Sequence, residues 1–375
     1  MNARVRRDAD HPQLLKQLGV SSFQQRFPWI GGDLQTLRDT LRPVDLPSEL
    51  GQPVLIDVPA LSSGAAAAGQ LLALLDQPQG QLSPEQPSQE QPSQEQPSRG
   101  LVLLLHGLGG SSSREGLRRM GLALQAVGFA VLRLNLRGAD PGRHLAGGTY
   151  AARCNSDLLP VIERARSLAA GRPLFGAGIS LGGTMLLNAC LSAPGVLDGL
   201  FCASSPLDLA DCSASIERPR NRIYQRWLLK RLVRQTAADP FGISAVEEQS
   251  LGGDQPPSTI RQFDAAITAP RWGYRDVDDY YSHASPLPHL SAAADRFPPT
   301  LLLQALDDPW VPVAAARMLA NRVQAHSSIQ VMLTRHGGHN GFHGQGGCWG
   351  DQVAAKWLGQ LEERMKGTNS SSICS

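Results

Sequence analysis

A chain of 375 residues with 42% apolar and 18% charged side chains can bury a sizeable core and is not composed like a disordered one. A net charge of +2, with no basic stripe interleaved with aromatics, excludes nucleic acid as a main partner. Residues 1–10 lack the apolar run of a secretory signal, and no stretch of about 18 apolar residues could span a membrane. Six cysteines (Cys154, Cys190, Cys202, Cys212, Cys348 and Cys374) form no C-x-x-C pair and no regular framework. Free thiols in a cytoplasmic protein are therefore expected.

In chain order, residues 1–20 read as a lead-in with one short helix. An apolar, glycine-rich block follows, Phe27-Pro28-Trp29-Ile30-Gly31-Gly32-Asp33-Leu34-Gln35-Thr36-Leu37, which spacing makes a turn into a core-packed helix. Residues 54–58 form a first strand, and 70–75 a second hairpin strand or a short helix. From 77 to 99 the composition switches to Gln, Pro, Ser and Glu, with a five-residue repeat beginning at Ser83, Ser88 and Ser93. Such a segment is too polar to bury anything and reads as a disordered insertion. Because a core strand resumes at once, the insertion lies within one domain spanning 1–375.

That strand, 101–105, is a continuous apolar run of the kind found in a parallel sheet covered on both faces. Its exit, His106-Gly107-Leu108-Gly109-Gly110, fails as a dinucleotide fingerprint, since Ser112 stands where a third glycine belongs. The next strand, 130–134, ends in Asn135-Leu136-Arg137-Gly138 with no acid for a ribose, and no phosphate-binding loop occurs anywhere. Helices are expected at 114–127 and 157–168.

The chain is organised around Phe175-Gly176-Ala177-Gly178-Ile179-Ser180-Leu181-Gly182-Gly183-Thr184. Gly178, Ser180 and Gly182 spell G-x-S-x-G between a short buried strand and an apolar helix, the context of a nucleophile elbow. A serine in so sharp a turn presents its hydroxyl outward, and the flanking positions must be nearly free of side chain. The helix start offers the Leu181 N–H to an oxyanion, and the His-Gly-x-Gly turn would aim the Leu108 N–H at the same point.

Further strands are expected at 200–204, 300–305 and 329–334. A mainly helical stretch at about 210–285 reads as a cap, in which Trp227, Trp272 and Tyr274 would line an apolar pocket. Its basic run, 218–234, reads as a solvated helix face, with a phosphate or peripheral membrane-surface contact as the alternative. A terminal helix at 351–365 precedes a flexible polar tail, 367–375. The order serine, acid, histidine is that of a Ser-His-Asp hydrolase. Asp308, in Asp-x-x-Val-Pro, is favoured as the acid over Asp307 and Asp208, and His339 is favoured as the base over His336. A zinc reading of His336, His339 and His343 is disfavoured, because the glycines between them prevent a helix that would align them. No metal and no cofactor is expected.

Several blocks resemble one family. Phe27 to Thr36 resembles the Asn-Pro-Trp…Gly-Gly-His-Leu-Gln-Thr opening of the YheT-like branch of the α/β-hydrolase superfamily. Gly178-Ile179-Ser180-Leu181-Gly182-Gly183-Thr184 resembles its elbow, with Thr184 where asparagine is usual and Asp33 where histidine is usual. Arg261-Gln262-Phe263-Asp264, Thr268, Gly273-Tyr274 and Asp279-Tyr280-Tyr281 resemble its cap segment. Asp307-Asp308-Pro309 and His336-Gly337-Gly338-His339-Asn340-Gly341-Phe342 resemble its acid and histidine motifs. The resemblance implies an α/β-hydrolase fold and a serine carboxylesterase with Ser180, Asp308 and His339 as its triad. The substrate would be an uncharged or lipid-like ester. Acyl transfer to an alcohol would use the same residues, and an idle scaffold acting as a binding protein is the contrasting class.

Overall fold

The computed structural model describes residues 11–78, 98–323 and 327–372. The repeat segment expected to be disordered lies mostly outside these residues. Eight strands form the main sheet: β1 (Gln52–Val58), β2 (Gly69–Asp76), β3 (Leu101–Leu105), β4 (Ala130–Leu134), β5 (Leu174–Ile179), β6 (Gly199–Ala203), β7 (Thr300–Ala305) and β8 (Ile329–Thr334). Their spatial order is β1-β2-β4-β3-β5-β6-β7-β8. β1 and β2 pair antiparallel, as do β2 and β4, and every other pairing is parallel. Residues 70–75 thus belong to a hairpin strand and not to a helix.

The sequence of β3 shows why the centre of the sheet is stable. Leu101, Leu103 and Leu105 face one core and Val102 and Leu104 the other, so all five are buried. On the first face lie the helices Asn155–Ala169 and Leu181–Ser192, through Leu158, Val161, Met185 and Leu186. The second face is covered by Glu115–Ala126 and Trp349–Ser372, through Leu117, Leu124, Trp357 and Leu358. Each such side chain, fully buried, contributes about 1.5–3 kcal/mol of transfer free energy. β1 sits at the edge and alternates, with Asp57 exposed between buried Ile56 and Val58.

Between β6 and β7 the chain is helical, with Leu209–Ile216, Arg222–Ala237, Ala245–Gly252 and Val277–Ala284 as its longer elements. A π-turn, Asp264–Thr268, interrupts the helical run between Ile260 and Arg271. The terminal helix starts at Trp349 and continues to Ser372, through most of the segment expected as a flexible tail. Its buried face, from Val353 to Leu361, packs into the core on the second face of the sheet.

Candidate active site

Ser180 occupies the turn between β5 and the helix Leu181–Ser192, with φ 54° and ψ −125°. That backbone conformation is unusual for a residue with a side chain, and the surroundings hold it in place. The Ser180 N–H donates to the Ala203 carbonyl of β6 at 2.8 Å. A Cβ on Gly178 would collide with the Gly183 backbone, and one on Gly182 would lie 2.6 Å from the Leu105 carbonyl oxygen. Both glycines of the motif are therefore required by close packing. Thr184 donates its hydroxyl to the Pro206 carbonyl at 2.7 Å, tying the elbow helix to the loop after β6.

Asp308 follows β7 and His339 follows β8, and the sheet brings both to Ser180. His339 Nε2 lies 3.0 Å from Ser180 Oγ, and His339 Nδ1 lies 3.0 Å from Asp308 Oδ2. The Asp308 side chain is fully buried. It accepts N–H groups from Trp310 at 2.8 Å and Val311 at 3.0 Å, and the Gln304 amide at 3.1 Å. Such a carboxylate is fixed in orientation before it meets the imidazole. Trp310 also stacks on His339, with centroids 4.4 Å apart and planes inclined by 31°.

The other candidates are engaged elsewhere. Asp307 accepts from the Gly338 N–H at 2.9 Å and pairs with His336 at 3.1 Å, so it shapes the histidine loop without reaching Ser180. Asp208 caps the helix Leu209–Ile216 through the Asp211 N–H. His343 Nε2 lies 3.2 Å from Asp39. The three histidines considered for a metal thus face three different carboxylates.

The glycine-rich N-terminal block clamps the histidine loop. Gln35 is buried, accepts the His343 N–H at 2.7 Å and donates to the Trp29 and His343 carbonyls. Thr36 accepts the His339 N–H at 2.8 Å. A Cβ on Gly338 would strike the Gly32 carbonyl, and one on Gly32 would strike that of Asp307, so helix Gly32–Leu41 sits directly on both loops. Asp33 is exposed and bridges to the helical segment through Arg220 and Tyr224.

Leu108 and Leu181 flank Ser180 in the wall of one cavity. Gly107 approaches so closely that a Cβ there would lie 3.5 Å from Ser180 Oγ. The turn is held by Tyr150, whose hydroxyl accepts the Gly109 N–H at 2.5 Å. His106 is buried beneath it, accepting from the Leu136 N–H with Nε2 and lying 2.9 Å from the Gly107 carbonyl through Nδ1. Burial pushes its pKa down to about 4, which keeps the ring neutral.

The cavity has a volume of about 600 Å³ and is walled largely by apolar side chains, including Leu209, Ile216, Leu228, Leu232, Ile260 and Phe263. Trp227 lines it, as anticipated, but Trp272 and Tyr274 do not. Trp272 instead donates its indole N–H to the Thr149 carbonyl, and Tyr274 packs on Tyr280. Their polar atoms or ring faces found partners outside the cavity, which spacing along the chain does not encode. Asp264 is in the wall, accepting hydroxyls from Thr268 at 2.7 Å and Tyr281 at 2.8 Å, and burial raises its pKa to about 6. Trp310, the Gln35–Thr36 clamp and Gln304 were missed as site residues by sequence reasoning. Only the clamp had a visible signal, in the glycine-rich block.

A mostly parallel eight-stranded sheet with a strained serine after β5, and a carboxylate and histidine after β7 and β8, defines an α/β-hydrolase. Residues 96–344 match the Hydrolase_4 family model, described as serine aminopeptidase, S33. The chain belongs to that family. Its relatives include esterase- and phospholipase-like serine hydrolases. Phospholipase ABHD3 of Mus musculus is 32% identical over 247 residues, 65% of this chain and 58% of that protein. The putative esterase YheT of Escherichia coli (strain K12) is 30% identical over 247 residues, covering 65% of this chain and 70% of that protein. Medium-chain fatty acid ethyl ester synthase/esterase 2 of Saccharomyces cerevisiae is 26% identical over 290 residues, 70% of this chain and 62% of that protein. The match with ABHD3 therefore spans less than two thirds of that relative's length. Among solved structures, a soluble variant of monoglyceride lipase from Saccharomyces cerevisiae shares the fold, with a TM-score of 0.53 and 17% identity over 86% of this chain and 98% of that one. Among the described residues no helix is long and apolar enough to cross a membrane.

Proposed function

We propose that this chain hydrolyses carboxylic esters of lipid-like acyl groups through an acyl-enzyme formed on Ser180. The observation that carries the reading is the hydrogen-bonded series Asp308–His339–Ser180, at 3.0 Å and 3.0 Å, opening into a mainly apolar cavity of about 600 Å³. Neutral His339 accepts the Ser180 proton through Nε2 as Oγ attacks the ester carbonyl carbon, while Asp308 holds Nδ1–H and stabilises the imidazolium. The Leu108 and Leu181 N–H groups receive the charge that develops on the carbonyl oxygen. His339 then returns the proton to the departing alcohol. Water, activated by the same imidazole, releases the acid and regenerates Ser180.

An alcohol in place of that water would give acyl transfer with the same residues. Similarity to a yeast protein named as both an ethyl ester synthase and an esterase supports such transfer. Turnover of p-nitrophenyl esters of graded chain length, with and without added ethanol and with Ser180→Ala alongside, tests both. Ser180-dependent release of nitrophenol with a medium-chain optimum supports hydrolysis, and diversion of the acyl group to ethyl ester supports transfer. Equal rates for wild type and Ser180→Ala would overturn the proposal.

A further inference from the structure

Asp264 is an acid that the triad does not use, yet it lies in the wall of the same cavity as Ser180 and retains accessible surface. Its Oδ1 accepts the Thr268 hydroxyl at 2.7 Å and its Oδ2 the Tyr281 hydroxyl at 2.8 Å. Among the described residues no lysine, arginine or histidine stands within ion-pair distance of it. Keeping a carboxylate there works against the fold, since burial raises its pKa to about 6. An asparagine could satisfy the same two hydroxyls, accepting from one and donating to the other. Asp264 also opens the π-turn Asp264–Thr268, an irregularity frequent at functional sites. An acid that costs stability, on such a turn in the wall of a catalytic cavity, is kept for a ligand and not for the fold.

The hydrogen bonds around Asp264 fix what it can receive. Tyr281 has one hydroxyl proton and gives it to Asp264, so Ser213, 3.2 Å from the same oxygen, donates to Tyr281. Thr268 also directs its proton at Asp264. Ser213, Asp264, Thr268 and Tyr281 all line the cavity, and with three protons committed among themselves they offer it acceptors. The complement is a hydrogen-bond donor, because a carbonyl, an ether or a second anion would set lone pairs against lone pairs. An ammonium group would lose its hydration against walls that are otherwise mainly apolar, and a hydroxyl loses far less. None of the four hydrogen-bonds a triad residue, so the patch reads a hydroxyl separate from the reacting ester group. We infer that this patch is a subsite for a hydroxyl on the chain held in the cavity, with Asp264 as the specificity-determining residue. The inference rests on the hydrolase reading above and narrows its substrate to esters that carry such a hydroxyl.

The test uses two series of graded length, p-nitrophenyl ω-hydroxyalkanoates and ω-hydroxyalkyl octanoates, each beside its counterpart without the hydroxyl. The subsite predicts that at one length kcat/KM favours the hydroxylated ester by at least about tenfold, and the series in which this occurs places the hydroxyl on the acyl or the alcohol side. In Asp264→Ala the ratio should fall to about one, whereas a merely structural defect would lower both esters alike and keep the ratio. Asp264→Asn, which turns one acceptor into a donor, should lower the ratio by at least about threefold and serves if the alanine variant does not fold. A ratio near one at every length in wild type, or one that both variants leave unchanged, would overturn the subsite while leaving the hydrolase reading intact. A stronger preference for the matching ω-amino esters would also overturn it, in favour of a cation site. If no ester turns over, the hydrolase reading fails, and calorimetric titration with alkanediols and alkanols of equal length judges the subsite by itself. Diol binding about tenfold tighter than alkanol binding, and weakened in Asp264→Asn, supports it; equal binding overturns it.

Discussion

Thr36 and His339 lie 303 positions apart and meet through one hydrogen bond, the His339 backbone N–H donating to the Thr36 hydroxyl at 2.8 Å. The hydroxyl in turn donates to the Gly32 carbonyl at 2.7 Å, so one side chain couples the start of a helix to the loop that carries the imidazole. Thr36→Val keeps the volume and removes the acceptor, leaving the His339 N–H unsatisfied at a cost of about 1–3 kcal/mol. The expected outcome is a kcat lowered about tenfold with KM little changed, because Nε2 would no longer be held against Ser180. Thr36→Ser should retain most of the activity. Steady-state kinetics of the two variants check this, and a wild-type kcat in Thr36→Val would contradict it.

Arg137 and Asp157 form a buried bidentate pair, at 2.8 Å and 2.7 Å, with Arg137 also donating to the Gly147 and Pro59 carbonyls. Arg137→Met would strand the carboxylate and is expected to cost about 3–5 kcal/mol in urea unfolding. Arg137→Met/Asp157→Leu should cost less than Arg137→Met alone. If the double variant is the less stable of the two, desolvation is not the governing cost.

His106 and Asp264 should tilt stability with pH in opposite senses. Burial holds His106 near 4, below the 6.5 of an exposed histidine, so between these values the unfolded chain binds more protons. Stability from this site is complete above 6.5 and falls as pH drops, by roughly 3 kcal/mol at pH 4. His343 is also pushed down to about 4 by burial. His106→Gln should therefore flatten, not abolish, the acid slope of urea midpoints. An unchanged slope would contradict the neutral buried ring.

Asp264 is the reverse case. Its pKa is raised to about 6 by burial, so the folded chain binds more protons between 3.8 and 6, and stability is lost as pH rises through that window. Asp264→Asn should stabilise the protein at pH 8 by up to about 3 kcal/mol relative to wild type and do little at pH 4. Thermal melts at the two pH values check the difference.

The elbow was legible because its requirements are local: two glycines two residues either side of a serine, between an apolar strand and an apolar helix. The central strands were legible because both faces are covered, so their apolar runs are unbroken. Asp308 and His339 could be chosen from their turn motifs. What the Phe27–Thr36 block does could not, since its partners at Asp307, His339 and His343 lie about three hundred residues away and meet it only in the fold. Trp310 gave no signal, because its stacking on His339 depends on the angle between two loops. Residues 70–75 were ambiguous for a different reason: a short apolar run carries no period long enough to separate strand from helix.

Every step proposed for this site depends on Ser180 being an activated nucleophile. Reaction of the purified protein with a fluorophosphonate, followed by peptide mass mapping, tests it most directly. One equivalent of adduct is expected on Ser180, lost in Ser180→Ala and formed about a thousandfold or more slowly in His339→Ala. A folded wild-type protein that leaves Ser180 unmodified, or reacts as fast without His339, would contradict it.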